Sequence, residues 1–368
     1  MSTAAGCQLE EAFLLKVLRQ VVDQHILQKD EVQDDLERHL EALWDLSVEA
    51  QAAEIIQQFQ GIKIFAQAAE RLDFKGHLAE IFLGILANVS THFRPETETP
   101  QSEDFTIAFK ALRSSDGLVL VQALRISCSL LCAKMLLSHF WSPAAIDCYI
   151  FALEHSLRWD VVRYACDALC QGLLLEMTQD GVFSSMLRGP RLPRLLEERC
   201  RELCASDESD SLEEGADVET ALWSALRLAE SLACLDDAQA EALRSMALIA
   251  IDRMEKPEVL VAALEVLSAL EEDDDQLAVP CGQAGEVKKI MEKAEVVEKL
   301  LLLLTDLGEE SSDVVSAAWV LLQHADRAEL QKHMEVIEEA RASIHQELKN
   351  RLSPDFLRFL DSKNATGI

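Results

Sequence analysis

LWDLSVEAQAAEIIQQFQGIKIFAQAAERLDFKGHLAEIFLGILANVSTH, residues 43–92, decides the fold. After the opening LWDLS come three amphipathic segments, VEAQAAEIIQQF, GIKIFAQAAERL and HLAEIFLGILANVSTH. The third is apolar nearly all round, and a helix that is greasy on every side must be buried on every side. Burial between its own repeat and the next is the natural solution. The block therefore predicts an all-α chain, an armadillo/HEAT-like right-handed α-solenoid of about six helical repeats.

Toward the N-terminus, Leu9–Leu27 reads as a helix with Phe13, Val17 and Val21 on one side and Leu14, Leu18 and Val22 beside them. Val32, Leu36, Leu40 and Leu43 continue on a second helix with acidic residues between. Residues 1–42 are expected to form an N-terminal helical cap, since a repeat array needs a polar outer layer. The apolar spacing is too brief to favour a coiled-coil dimer.

Toward the C-terminus, the loop RPETETPQSE at 94–103 breaks the pattern, which then returns. Phe105–Leu112 precedes Leu118–Leu137, Ala144–Leu157 precedes Val161–Met177, and Phe183–Leu187 and Leu192–Cys204 follow. Leu86, Ile126, Leu169, Leu228, Leu267 and Val320 align as equivalent buried positions, most about 40 residues apart, the armadillo and HEAT period. The expected array occupies 43–204, 220–270 and 286–352, the last carrying the C-terminal cap, with a short helix and tail at 353–368. Between these lie acidic segments at 205–219 (ASDESDSLEEGADVE) and 271–285 (EEDDDQLAVPCGQAG), read as loops. Pro257 is suited to a helix start.

Composition agrees. Leu, Ala and Glu dominate, aromatics are 5%, and a net charge of −31 stands on 34 basic and 65 acidic residues. Such a surface repels nucleic-acid phosphates and anionic membranes, so neither is an expected partner. A protein partner with basic segments is expected instead, drawn mainly through its association rate; the charge also serves solubility alone. Cys128/Cys132, Cys166/Cys170 and Cys200/Cys204 each share a helix face and read as reduced core thiols rather than disulfides or a metal site. The window Leu118–Leu137 contains Gln122, Arg125 and Lys134, which disqualifies it as a membrane span. With no secretory leader visible, the expectation is a soluble nuclear or cytoplasmic chain.

Leu43-Trp44-Asp45 with Ser47, then Phe59, Ile64-Phe65, Glu80-Ile81 and Gly84-Ile85-Leu86 with Asn88, resemble the serum amyloid A-like family, which is armadillo-type in fold. The resemblance covers about 50 residues, 43–92. It implies an armadillo-like fold, no catalytic activity, a nuclear or cytosolic place and a link to growth control.

No residue pattern names a reaction. Nucleophile-elbow, Walker, dinucleotide and zincin motifs are missing, and no His stands with two further ligands at metal spacing in sequence. Pro280-Cys281 with His333 and Glu335 reverses the deaminase order and lacks its second Cys. No cofactor, metal or small-molecule substrate is expected.

Four residues are candidate protein contacts: Trp44, Asn88, Gln171 and Glu230. Trp44 offers a docking aromatic, or packs the cap on the first repeat with Asp45 or Ser47 capping the next helix. Asn88 on an inner helix suits reading a peptide backbone, because its amide both donates and accepts. Its aligned equivalents are Cys128, Gln171, Glu230, Ala269 and Leu322, so no asparagine ladder exists. Arg188, Arg191, Arg194, Arg199 and Arg201 form the one basic concentration, expected to pair with the neighbouring acidic insert. Ser206, Ser209 and Ser211 sit among acids and suit an acidophilic kinase. The leading expectation is a non-enzymatic protein-interaction scaffold. The alternative is an assembly or transport factor shielding a basic or unassembled client.

Overall fold

The computed structural model describes residues 3–26, 35–93, 102–177, 187, 190–205, 212–233, 240–253 and 257–270, with Lys293, Val296, Lys299, Leu300, Ala318 and Leu321 beyond them. Among the described residues the chain is all-helical and helical-repeat-like, without strands. The helices are α1 (Thr3–Val21, closing in a π-helical turn at Val22–Ile26), α2 (Leu36–Leu46), α3 (Ala50–Gln58), α4 (Gly61–Arg71) and α5 (His77–Ser90). Then come α6 (Ser102–Ala111), α7 (Gly117–Cys132), the single turn α8 (Leu137–Phe140), α9 (Pro143–His155) and α10 (Trp159–Met177). The last are α11 (Arg191–Ala205), α12 (Leu212–Ala233), α13 (Ala240–Arg253) and α14 (Pro257–Ala269).

Two compact units result, Met1–Leu187 and Arg188–Ile368. In the first, α5, α7 and α10 pack side by side in an inner row. Helices α4 and α6 form the layer behind, α2 lies on α5, and α9 lies on α10. In the second unit, α11 packs on α13 and α12 on α14, with α11–α12 and α13–α14 contacts joining the two layers.

Every residue of α5 from Ala79 to Ser90 is buried, as its all-round apolar sequence requires. Phe65 of α4 stacks on Phe82 of α5 with ring centroids 5.9 Å apart. The aligned positions Leu86, Ile126, Leu169, Leu228 and Leu267 are all buried. Val320 lies outside the described residues.

Hydrogen bonds between neighbouring segments have a repeat-like spacing. Lys110–Glu70, Ser114–Phe74 and Gly76–Asp116 each join residues 40 apart. Arg125–Asn88 and Cys128–Tyr164 span 37 and 36. In the second unit Arg227–Glu265 spans 38 and Cys200–Met246 spans 46. A polar contact that recurs about once per repeat is what stacked helical repeats produce.

Helix boundaries follow local chemistry. Asp116 caps α7, its Oδ1 accepting from the N–H groups of Leu118 and Val119 at 3.1 and 3.4 Å. Its Oδ2 accepts from the Gly76 N–H at 2.9 Å, so one carboxylate starts α7 and fixes the entry to α5. Gly76 has φ +80°, a conformation that suits glycine. Ser142 caps α9, with Pro143 in its first turn. Helix α4 ends with Asp73 at φ +54° and the Phe74 N–H on the Ala69 carbonyl. Helix α7 ends the same way, with Lys134 at φ +55° and the Met135 N–H on the Leu130 carbonyl. These are Schellman closures made without glycine.

The structure amends several boundaries. Leu43–Leu46 ends α2, which begins inside the expected 1–42 cap. The expected array 43–204 crosses the division between units at Leu187. Within the acidic segment 205–219, Leu212–Glu219 is not loop but the start of α12. Acidic sequence is compatible with a helix start, because negative charge is favourable near the positive end of the helix dipole. Segment 271–285, the tail at 353–368, most of 286–352, and Ser206, Ser209 and Arg188 lie outside the described residues. So do Cys281, His333 and Glu335.

Candidate functional site

Trp44 and Asn88, 44 residues apart, are brought together. The Asn88 Nδ2 donates to the Trp44 carbonyl at 3.1 Å and to Ser47 Oγ at 3.0 Å. Its Oδ1 accepts from Arg125 Nη2 at 2.9 Å, and Arg125 Nη1 donates to Gln122 Oε1 at 2.7 Å. Ser47 Oγ in turn donates to the Trp44 carbonyl at 2.6 Å. Both N–H donors of the buried Asn88 amide are thus committed to the end of α2. Its role as a peptide-backbone reader is replaced by that of a staple joining α2, α5 and α7.

Trp44 is held by shape as well. A Cβ built on Gly84 would overlap its indole, so glycine is what lets the ring lie against α5. The same device recurs at Gly172 of α10, where a Cβ would overlap the buried Trp141 ring. This second Trp–Gly pair was not singled out from sequence. Its signal is the Trp-Ser pair at 141–142 before a helix, an echo of Trp44 and Ser47 before α3.

Gln171 and Glu230 stand elsewhere, half-buried on α10 and α12. Glu230 lies 3.0 Å from Arg227, which also meets Glu265 of α14 at 3.4 Å. Burial pushes the Glu230 carboxyl above its usual range; Arg227 opposes this and Glu265 adds to it. Glu230 is therefore part of an internal ladder and a poor free anion. Arg199 and Arg201 each pair within α11, with Glu202 at 2.6 Å and Glu197 at 2.5 Å. Residues three and four apart on one helix are simply the nearest partners.

The thiols are mostly core. Cys166, Cys170 and Cys200 are buried, Cys128 and Cys204 half-buried, and only Cys132 of these pairs is exposed. Desolvation raises the Cys128 and Cys166 thiols well above their ordinary range, which makes them poor nucleophiles.

An open groove of about 520 Å³ lies where the α6–α7 turn meets α9. Leu112, Arg113, Leu120, Asp147, Phe151 and His155 are among its lining residues. Phe151 is 63% exposed, with its ring centroid 4.4 Å from that of His155. Leu157 and Leu118, each next in sequence to a lining residue, are 88% and 41% exposed. At the groove's edge Gly117 lies against the Arg158 side chain, the position of a Cβ there being 2.7 Å from Cδ. This surface was not anticipated. Its sequence trace is Phe151 near the end, and Leu157 two residues past the end, of a helix otherwise buried along Ile146, Tyr149 and Leu153.

Among the described residues, one group of possible metal ligands assembles that the sequence spacing does not show. Glu37 and Glu41 of α2 and His77 of α5 bring ligand atoms within 4.8 Å of one another. His77 Nδ1 lies 3.0 Å from Glu80 Oε2. The Glu80 hydrogen bond raises the His77 pKa above 6.5; burial opposes it, and Glu41 and Glu37 reinforce it. Ligands from helices nearly forty residues apart in sequence leave no local spacing motif.

No protein-family profile and no curated protein matches this chain. Among solved structures, it is similar to an engineered protein from the Northeast Structural Genomics Consortium at 16% identity and a TM-score of 0.48, covering 91% of this chain and 75% of that one. A second engineered protein from the same consortium shows 14% identity and a TM-score of 0.31, covering 84% of this chain and 96% of the other. Among the described residues, no helix is long and apolar enough to cross a membrane.

Proposed function

We propose that this chain is a non-enzymatic protein-interaction scaffold, and that its partner docks in the Phe151 groove. The observation carrying this reading is the concentration of exposed apolar side chains, Phe151, Leu157 and Leu118, about a concave surface. Large apolar side chains left in water at a preformed cleft mark binding surfaces, and an aromatic anchor there contributes disproportionately. Asp147 inside the groove and the net charge of −31 favour a partner segment that sets an apolar anchor beside a basic residue. In this reading both units are stretches of armadillo/HEAT-like, right-handed repeats, about six across the chain. A nuclear or cytoplasmic place linked to growth control follows from the serum amyloid A-like resemblance of residues 43–92. Nucleic acid, membranes and small-molecule substrates are not partners in this account.

The test is affinity capture with purified full-length chain at low and moderate salt, comparing wild type with Phe151→Asp/Leu157→Asp. A small stoichiometric set of partners with basic segments, retained at moderate salt and lost in the variant, supports a scaffold. Transient capture of many unfolded or unassembled chains favours the client-shielding alternative. Equal recovery by both baits places binding elsewhere.

A further inference from the structure

We propose that Glu37, Glu41 and His77 form a zinc site, with one oxygen from each carboxylate and the His77 Nε2 as ligands. The three come from two elements. Glu37 and Glu41 are four apart on α2 and so project from one face, while His77 is the first residue of α5. The His77 Nε2 lies 3.6 Å from Glu41 Oε1 and 3.9 Å from Glu37 Oε1. Those separations exceed hydrogen-bond length. They approach the spacing of neighbouring donors around one ion, since bonds of about 2.0–2.2 Å at tetrahedral angles set donors roughly 3.3–3.6 Å apart: Glu41 stands at that spacing and Glu37 a few tenths of an ångström beyond it.

The other imidazole nitrogen is already fixed. Glu80 Oε2 lies 3.0 Å from Nδ1, and Glu80 is buried, so its carboxylate holds the ring with Nε2 turned toward α2. A carboxylate on the far nitrogen of a ligating histidine sets both its tautomer and its orientation, and strengthens it as a donor. Charge supplies a separate reason for a cation. Three carboxylates meet one imidazole, and among the described residues no Lys or Arg forms an ion pair with Glu37, Glu41 or Glu80. The nearby Lys75 is directed to Asp73 at 3.0 Å. One imidazole with two carboxylates suits zinc better than calcium or magnesium, which take all-oxygen shells, and leaves the fourth position to water. The bound ion ties α2, which carries Trp44, to the start of α5.

Calorimetric titration of the zinc-free, reduced full-length chain with Zn²⁺ tests this. One site per chain is expected, weakened at least tenfold in Glu41→Gln and absent in His77→Arg, which keeps a cation among the carboxylates but offers no ligand. Cys132→Ser, which removes an exposed thiol, should bind as wild type does. Unchanged affinity in His77→Arg, loss of binding in Cys132→Ser, or no binding by wild type overturns the site. If His77→Arg fails to fold by circular dichroism, the Co²⁺ spectrum of wild type decides. Ligand-field bands without thiolate charge transfer support the site; charge-transfer bands, or no spectrum, contradict it.

Discussion

The Trp44 indole occupies the space that a side chain on Gly84 would fill, so α2 approaches α5 through a gap in the apolar surface. Trp141 and Gly172 repeat the relationship between the start of α9 and α10. Overfilling a packed interior costs typically about 1–3 kcal/mol. Gly84→Ala and Gly172→Ala should each destabilise by that amount in urea melts, despite alanine's better helix propensity. Trp44→Leu should relieve much of the Gly84→Ala penalty, so the double mutant should fall well short of the sum.

Asn88 joins three helices through Trp44, Ser47 and Arg125. Removing its amide takes one hydrogen bond from each of the Trp44 carbonyl, Ser47 Oγ and the Arg125 guanidinium, which keep other partners; such a bond contributes roughly 0.5–1.5 kcal/mol net, and about 1.5–3 kcal/mol where one group is charged. Asn88→Ala should destabilise by about 2–4 kcal/mol in chemical denaturation, with near-ultraviolet circular dichroism reporting altered Trp44 packing. Loss under about 0.5 kcal/mol would contradict the staple role.

Lys134 closes α7 with φ +55°, and its side chain is exposed. A left-handed conformation costs an L-residue roughly 1–2 kcal/mol, and glycine avoids that while losing some unfolded-state entropy advantage. Lys134→Gly should therefore stabilise by about 0.5–1 kcal/mol, read as a raised urea midpoint at unchanged slope.

Burial raises the Glu230 pKa in the fold, so the folded state holds a proton that the unfolded state has already released. Between the ordinary glutamate value and the raised one, stability must fall as pH rises. Glu230→Gln removes that dependence. The variant should gain stability relative to wild type at pH 7 and show less gain at pH 4, by denaturant melts at both. A gain that is equal at the two pH values would remove the linkage.

The repeat architecture was legible because an all-round apolar helix and a period of about 40 residues are properties of local sequence. The buried run Ala79–Ser90 and the aligned Leu86, Ile126, Leu169, Leu228 and Leu267 follow from that pattern alone. The site was less legible, because the partners of a polar side chain depend on which helices meet. Asn88 could be placed on an inner helix, but its commitment to Trp44 and Arg125 needed the stacking of α2, α5 and α7. The Glu37–Glu41–His77 group is hidden for the same reason. The helical start of α12 within the 205–219 insert shows composition misleading in the other direction, since acidic residues suit a solvated loop and a helix N-terminus alike.

Photocrosslinking from the groove tests the scaffold account most directly. A benzophenone amino acid replaces Leu157 in one chain and the likewise exposed but less accessible Val48 (59% against 88%), well away in sequence on the α2–α3 turn, in another. Irradiation in cell extract should give a discrete adduct from position 157, mapped to an apolar residue flanked by Lys or Arg in the partner and suppressed by Phe151→Asp. Adducts from 157 that match those from 48, or that persist with Phe151→Asp, would contradict docking in this groove.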